Sequence, residues 1–203
     1  MTLKEVLTKP LTGIDSIWGD SMKISLFIGG ISGGGAEHVV CDLASYLCER
    51  CYDVEILTVS EVPDNYLLHS NVHRSSLSKK SDSKNRIIRV LTKMFRLWRH
   101  ISKSKTDLYV VFLPETIHAL MFFRKLIKAP IVISERGDPS SYNPKLLKMV
   151  LNDAKKADGV VFQTKMVEKY YKDRVPITEN IEIIPNAITS EKVLSFKNKK
   201  EKT

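Results

Sequence analysis

The stretch Met22-Lys-Ile-Ser-Leu-Phe-Ile-Gly-Gly-Ile-Ser-Gly-Gly-Gly-Ala-Glu-His-Val-Val-Cys-Asp-Leu-Ala-Ser-Tyr-Leu47 decides how the rest of the chain is read. Lys23 to Ile28 is a short apolar run of strand character, and Gly29 to Gly35 is a loop rich in glycine. Ala36, Val39, Val40, Leu43, Ala44 and Leu47 then recur at helical spacing on one face. Strand, glycine loop and helix in that order present backbone N–H groups at a helix N-terminus, a seat for a phosphate or other anion. Three successive glycines, Gly33, Gly34 and Gly35, cost backbone entropy that a plain turn does not require. Phosphate contact is therefore the favoured reading of the loop.

The alternation continues to the end of the chain. Strand-like runs fall at Val54–Val59, near Val72, and at Leu108–Leu113, Ile131–Ser134, Gly159–Phe162 and Ile181–Ile184. Helical patterns cover about 84 to 102, Thr116–Ile127, Pro144–Lys156 and Lys165–Lys172. Strands separated by helices imply a doubly wound α/β domain, a parallel sheet with helices on both faces. Ligands of such sheets bind beyond the carboxyl ends of the strands. The loops to watch are therefore those holding Glu115, Glu135 with Arg136, and Gln163 with Thr164. Residues 1–21 fit no element and read as an extension, and the basic stretch 191–203 reads as a disordered tail or truncated linker.

Composition excludes several classes. The 203 residues are 43% apolar and 27% charged, and no apolar run approaches the roughly 20 residues of a membrane-spanning helix. Residues 1–21 contain no continuous apolar core and no small-residue cleavage site, so a secretory signal is not expected and the cytoplasm is the expected compartment. Cys41, Cys48 and Cys51 are an odd set in one segment and are expected to be reduced, with burial on a helix face preferred over a half-zinc motif. No metal site is expected. A nicotinamide cofactor is a remote alternative, because His38 stands where the dinucleotide fingerprint needs its third glycine.

The formal net charge of +9 is concentrated rather than spread. Residues 79–105 hold ten basic side chains and one acid, Asp82, so this segment accounts for the whole excess. Nucleic-acid binders usually distribute basic residues over a broader face, which makes that partner unlikely here. Ile87, Leu91, Met94, Trp98 and Ile101 form an apolar stripe, with Arg89, Lys93 and Arg96 turned away from it. Two readings stay open: the stripe packs on the sheet, or the helix lies on an anionic lipid surface through Arg89, Lys93, Arg96 and Trp98.

The quoted stretch resembles the opening of a family 4 retaining glycosyltransferase of the GT-B fold. Ile131-Val-Ile-Ser-Glu-Arg-Gly-Asp-Pro139, Ala157-Asp-Gly-Val-Val-Phe-Gln-Thr164 and Ile181-Glu-Ile-Ile-Pro-Asn-Ala-Ile188 follow in the family's order. The similarity runs from 22 to about 190 and is nearest to bacterial capsule and polysaccharide enzymes. It implies the Rossmann-like, acceptor-binding N-terminal half of an enzyme that moves a sugar from a nucleotide-sugar donor to a polysaccharide or undecaprenyl-diphosphate-linked acceptor. No further cofactor is implied, and visits to the inner face of the plasma membrane are.

The resemblance places Gly33, Gly34 and Gly35 at the cleft, with Glu37 either a ligand or part of the helix cap. Arg136 is offered as a fork for acceptor phosphate and Glu135 as an acceptor of sugar hydroxyls, unless the two pair with each other or with Asp138. Glu115 is placed near the cleft, and His118 reads as a structural histidine. Members of the family often carry a histidine where this chain has Glu135-Arg136. The family's glutamate pair spaced E-x7-E has no match, since no glutamate here has another eight positions on. The chain is accordingly expected to be inactive without a C-terminal half, supplied in the same or a separate chain. A stand-alone or split-enzyme binding module is the alternative.

Overall fold

The computed structural model describes residues 22–31, 34–60, 68–79 and 81–185. The expectations for the 1–21 extension, Gly33 and the 191–203 tail lie outside the described residues. Seven strands form one parallel sheet in the order β3-β2-β1-β4-β5-β6-β7: β1 Lys23–Ile28, β2 Asp53–Thr58, β3 His73–Ser76, β4 Leu108–Phe112, β5 Ile131–Glu135, β6 Gly159–Phe162 and β7 Ile181–Ile183. Five α-helices join them among the described residues: α1 Gly35–Glu49, α2 Arg86–Lys103, α3 Pro114–Phe122, α4 Pro144–Ala154 and α5 Lys165–Lys172.

The side-chain period of two along each strand divides the core into two layers. Ile24, Leu26 and Ile28 of β1, Val110 and Phe112 of β4, and Val161 of β6 point to the α1 side and pack with Val40, Ala44 and Leu47. Phe27, Tyr109, Val111, Ile133 and Phe162 point the other way, where Leu97 of α2, Leu120 of α3, Val150 of α4 and Tyr171 of α5 cover them. Helices thus lie on both faces, but unevenly: among the described residues, α1 alone occupies its face and four helices share the other.

Local chemistry sets the element ends. Asn85, Asn143 and Thr164 cap α2, α4 and α5 by accepting backbone N–H groups of the first turn. The single helix expected over Thr116–Ile127 instead ends at Phe122, and a 3₁₀ turn covers Arg124–Leu126. Arg124 explains the break: its guanidinium donates to the Asp158 carboxylate at 2.8 and 3.0 Å and to the Ile127 carbonyl. Asp158 also accepts the Ile131 N–H at 2.8 Å, so the amino ends of the strands are closed by structural contacts.

Buried polar groups tie α2 to the sheet. Glu55 of β2 is almost fully buried and accepts hydrogen bonds from Ser75 Oγ at 2.6 Å and Ser25 Oγ at 3.0 Å. His100 of α2 places Nε2 3.3 Å from the same carboxylate. Nearby, Arg96 donates to the Leu77 carbonyl at 2.7 Å and pairs with Asp82 at 2.6 Å.

Candidate ligand site at the carboxyl edge of the sheet

Loops after β1, β4, β5, β6 and β7 meet at the carboxyl edge. Gly34 is the N-cap of α1 and extended, and its N–H donates to Glu37 Oε2 at 2.8 Å. Glu37 therefore turns back on the helix N-terminus and supplies a carboxylate where the dipole favours negative charge. Gly35 begins the helix, and a Cβ there would meet nothing within 4 Å among the described residues.

Leu113 follows β4 with φ of +70°, a conformation uncommon for a branched side chain. Its strained backbone places Pro114 and the exposed Glu115 at the start of α3. The Thr116 hydroxyl bonds back to the Phe112 and Leu113 carbonyls, which supports the bend.

The Glu135-Arg136 pair separates, and this corrects the expectation for Glu135. Its side chain faces inward, only 2% exposed. Oε1 accepts the Tyr142 hydroxyl and the Gly137 N–H, each at 2.9 Å, and Oε2 accepts the Tyr171 hydroxyl. Both oxygens are engaged inside the protein, so Glu135 holds the loop after β5 rather than a sugar hydroxyl. Burial first, then the Glu135 charge, pushes both tyrosine hydroxyls well above the usual phenol range. Neither Tyr142 nor Tyr171 was singled out from the sequence, since they lie 7 and 36 residues from Glu135.

Arg136 pairs with neither Glu135 nor Asp138 by hydrogen bond. Its Nε donates to Ser134 Oγ at 2.8 Å and its Nη1 to the Ile184 carbonyl at 3.0 Å, tying β5 to the chain after β7. Gln163 Nε2 donates to the Arg136 carbonyl at 2.9 Å. Burial lowers the guanidinium pKa, opposed by the nearby Glu135 charge. Arg136 is half-buried and brings a positive charge to this edge. Asp138 instead caps its own turn through Ser140.

His118 Nδ1 lies 2.8 Å from the buried Asp153 carboxylate, joining α3 to α4 as a structural histidine. Thr164 is an N-cap, accepting the Val167 N–H at 3.2 Å. Cys41 and Cys48 are buried and Cys51 is exposed, all as free thiols. No group of three metal-ligating side chains occurs among the described residues. At the tip of β2 stand Thr58, Val59 and Ser60, none with the carboxylate that a dinucleotide ribose needs.

On α2 the apolar sector is wider than the sheet covers. Leu97 is buried and Met94 and Ile101 are half-buried. Ile87, Leu91, Phe95 and Trp98 face outward, 71%, 64%, 56% and 42% exposed, and the Phe95 and Trp98 rings lie 5.5 Å apart. Arg86, Arg89 and Arg99 are exposed beside them. Lys93 is half-buried, and Arg96 is consumed by Asp82 and Leu77, so Arg96 anchors the helix and is corrected from an outward-facing basic residue. No helix among the described residues is long and apolar enough to cross a membrane.

These features define the N-terminal half of a GT-B glycosyltransferase fold, a Rossmann-like domain built on a parallel sheet, with the candidate site at its carboxyl edge. The profile of Glycosyltransferase Family 4 matches residues 33–192, and the chain belongs to that family. A curated relative from Campylobacter jejuni is 30% identical over 131 residues, 64% of this chain and 36% of the relative. It is the GalNAc-alpha-(1->4)-GalNAc-alpha-(1->3)-diNAcBac-PP-undecaprenol alpha-1,4-N-acetyl-D-galactosaminyltransferase.

Solved structures with the same fold include HepE of Anabaena in complex with UDP and glucose. It has a TM-score of 0.65 and 14% identity, over 89% of this chain and 50% of that one. Sucrose-phosphate synthase from Thermosynechococcus elongatus has a TM-score of 0.62 and 15% identity, over 81% and 48%. The chain thus spans about half the length of these structures and about a third of the curated relative.

Proposed function

We propose that this chain is the acceptor-binding half of a retaining glycosyltransferase that transfers a sugar from a nucleotide-sugar donor to an undecaprenyl-diphosphate-linked or polysaccharide acceptor. The observation that carries the reading is the outward face of α2, where Ile87, Leu91, Phe95 and Trp98 lie beside exposed Arg86, Arg89 and Arg99. A lipid-linked acceptor is met at an anionic surface, and such a face suits one: apolar side chains enter the headgroup region while arginines meet phosphates. The Campylobacter relative, whose named acceptor is linked to undecaprenol by a diphosphate, supports the same class. Capsule or other surface polysaccharide assembly at the inner face of the membrane is the setting that follows.

At the carboxyl edge, Arg136 and the N-terminal turn of α1 are the groups for the acceptor's diphosphate or first sugar, with Glu115 on the rim. Arg136 provides positive charge at this edge. The Glu135–Tyr142–Tyr171 cluster keeps the loop that carries it from moving. The nucleotide portion of the donor is assigned to the second half that the full-length structural neighbours carry.

The test is co-flotation of the purified chain with vesicles of phosphatidylglycerol and phosphatidylcholine, against phosphatidylcholine alone. Binding should require the anionic lipid, weaken with salt, and fall sharply in Leu91→Asp and Phe95→Asp. A second arm measures binding of a short-chain polyprenyl diphosphate disaccharide to wild type and Arg136→Ala. Absence of both vesicle binding and polyprenyl diphosphate binding would refute the proposal.

A further inference from the structure

The two faces of the sheet differ in charge as well as in the number of helices they carry. α1 holds Glu37, Asp42 and Glu49 and neither lysine nor arginine. On the opposite face, α4 and the turn after it expose Lys145, Lys148, Lys155 and Lys156, while the acid of α4, Asp153, is buried against His118. The basic α2 shares that face. α2, α3 and α4 feed β4, β5 and β6, neighbours in that order, so α3 stands between the other two.

Each of these helices runs down to the amino edge, because it must feed the next parallel strand. Their ends meet there: Arg124 Nε, just past α3, donates to the Lys156 carbonyl after α4 at 3.2 Å. Lys125 and Lys128 are exposed on this rim. Two of its acids are engaged, since Asp158 pairs with Arg124 at 2.8 Å and Asp107 accepts the Lys23 N–H at 2.8 Å. The exposed Glu115 of α3 stands at the other end of its helix. Among these lysines two large apolar side chains face solvent. Phe122, the last residue of α3, is 72% exposed, and Leu126, four residues on, is 60% exposed. Phe123 meets the Phe122 ring edge-on, 5.1 Å between centroids, and itself packs against the core.

We propose that the whole α2–α3–α4 layer, and not α2 alone, rests on an anionic lipid surface, with Phe122 and Leu126 as a second point of insertion. The inference takes the surface to be lipid from the reading of α2 given above. Lysines around an exposed apolar pair match such a surface, the charges meeting headgroup phosphates and the apolar groups entering beneath them. A contact through α2 alone leaves the domain free to roll about that helix. A second contact across the layer removes the freedom, and the carboxyl edge of the sheet then opens along the bilayer plane rather than away from it.

The cysteines make a direct test possible. Cys41 and Cys48 are buried, and Cys51, just past the end of α1 on the opposite side of the sheet, is exposed. The dye NBD on Cys51 therefore reports from the α1 side. The same dye on Leu126→Cys, in a Cys51→Asn background, reports from the rim, and asparagine suits the φ of +62° at position 51. On vesicles of phosphatidylglycerol and phosphatidylcholine, the dye at 126 should shift to the blue and brighten several-fold, and the dye at 51 should stay in water. Replacing both Lys125 and Lys128 by alanine should weaken binding roughly 25-fold, about fivefold for each charge lost. Phe122→Asp should weaken it several-fold with circular dichroism unchanged, and the dye arm decides the matter even where that variant fails to fold. Vesicle binding that Leu91→Asp abolishes, with the dye at 126 still in water, overturns this inference and leaves the α2 reading standing. Absence of vesicle binding by the wild type removes both. Dehydration of the dye at both positions also overturns the inference, because the domain then has no fixed side towards the bilayer.

Discussion

Replacing Glu55 with glutamine should abolish one identifiable part of the protein's acid sensitivity. Ser25 on β1, Ser75 on β3, His100 on α2 and Tyr109 on β4 face this carboxyl from the four elements around it. Burial alone would raise its pKa, but the contacts from His100, Ser75 and Ser25 outweigh that and hold it down at about 2 instead of 4.5. The folded-state pKa is depressed, so the charge stabilises the fold above about 4.5, and that contribution is lost as pH falls toward 2.

The interval from 4.5 to about 2, at about 1.4 kcal/mol per pH unit, amounts to about 3 kcal/mol. The two serine bonds carry the firmer share, because His100 Nε2 at 3.3 Å lacks hydrogen-bond alignment. Urea denaturation of wild type and Glu55→Gln from pH 7 to pH 2 measures it. The variant should be less stable by about 3 kcal/mol at pH 7, and the two curves should converge near pH 2 as the wild-type carboxyl is protonated. Other carboxylates titrate in both proteins and cancel in the difference. Curves that stay parallel over the whole range would refute the reasoning.

Three further outcomes follow from the packing. Leu97→Ala removes the one fully buried side chain of α2 and should cost about 2 to 5 kcal/mol in urea denaturation. It should also weaken vesicle binding, since the outward face would no longer be held. Gly137→Ala would place a Cβ 1.9 Å from the Tyr142 hydroxyl, costing about 1 to 3 kcal/mol in thermal unfolding; adding Tyr142→Ala should cost less than the two separate losses combined. Arg89→Glu should weaken binding to anionic vesicles by more than the roughly fivefold that loss of one positive charge near such a surface produces, and leave thermal stability unchanged.

The order of elements was legible because each is announced within its own span. Apolar runs of strand length and the proline and glycine breaks need only neighbours to be read. The carboxyl edge was legible as a place, because an α/β alternation puts ligand loops there. The roles of particular side chains were less so. Glu135 and Arg136 are adjacent and both charged, yet alternation along β5 sends one into the interior, and the other's partners are Ser134 and the Ile184 carbonyl after β7, two strands away. The width of the apolar sector on α2 was visible, but not which half of it meets solvent.

By itself the sequence determined the alternating α/β architecture, the glycine turn at the head of α1, the concentration of charge in one helix, and membership of a recognisable family. Those properties are written in residue types at short spacing, where periodicity and backbone preference act locally. Only the tertiary structure decided that Glu135 belongs to Tyr142 and Tyr171, that Glu55 is a buried anion shared by four elements, and that Leu97 rather than Trp98 faces the sheet. Each of these depends on strand register and on which face a helix turns to its neighbour. Such choices are made by packing and by the need to satisfy buried polar groups across long stretches of chain, which no local pattern encodes.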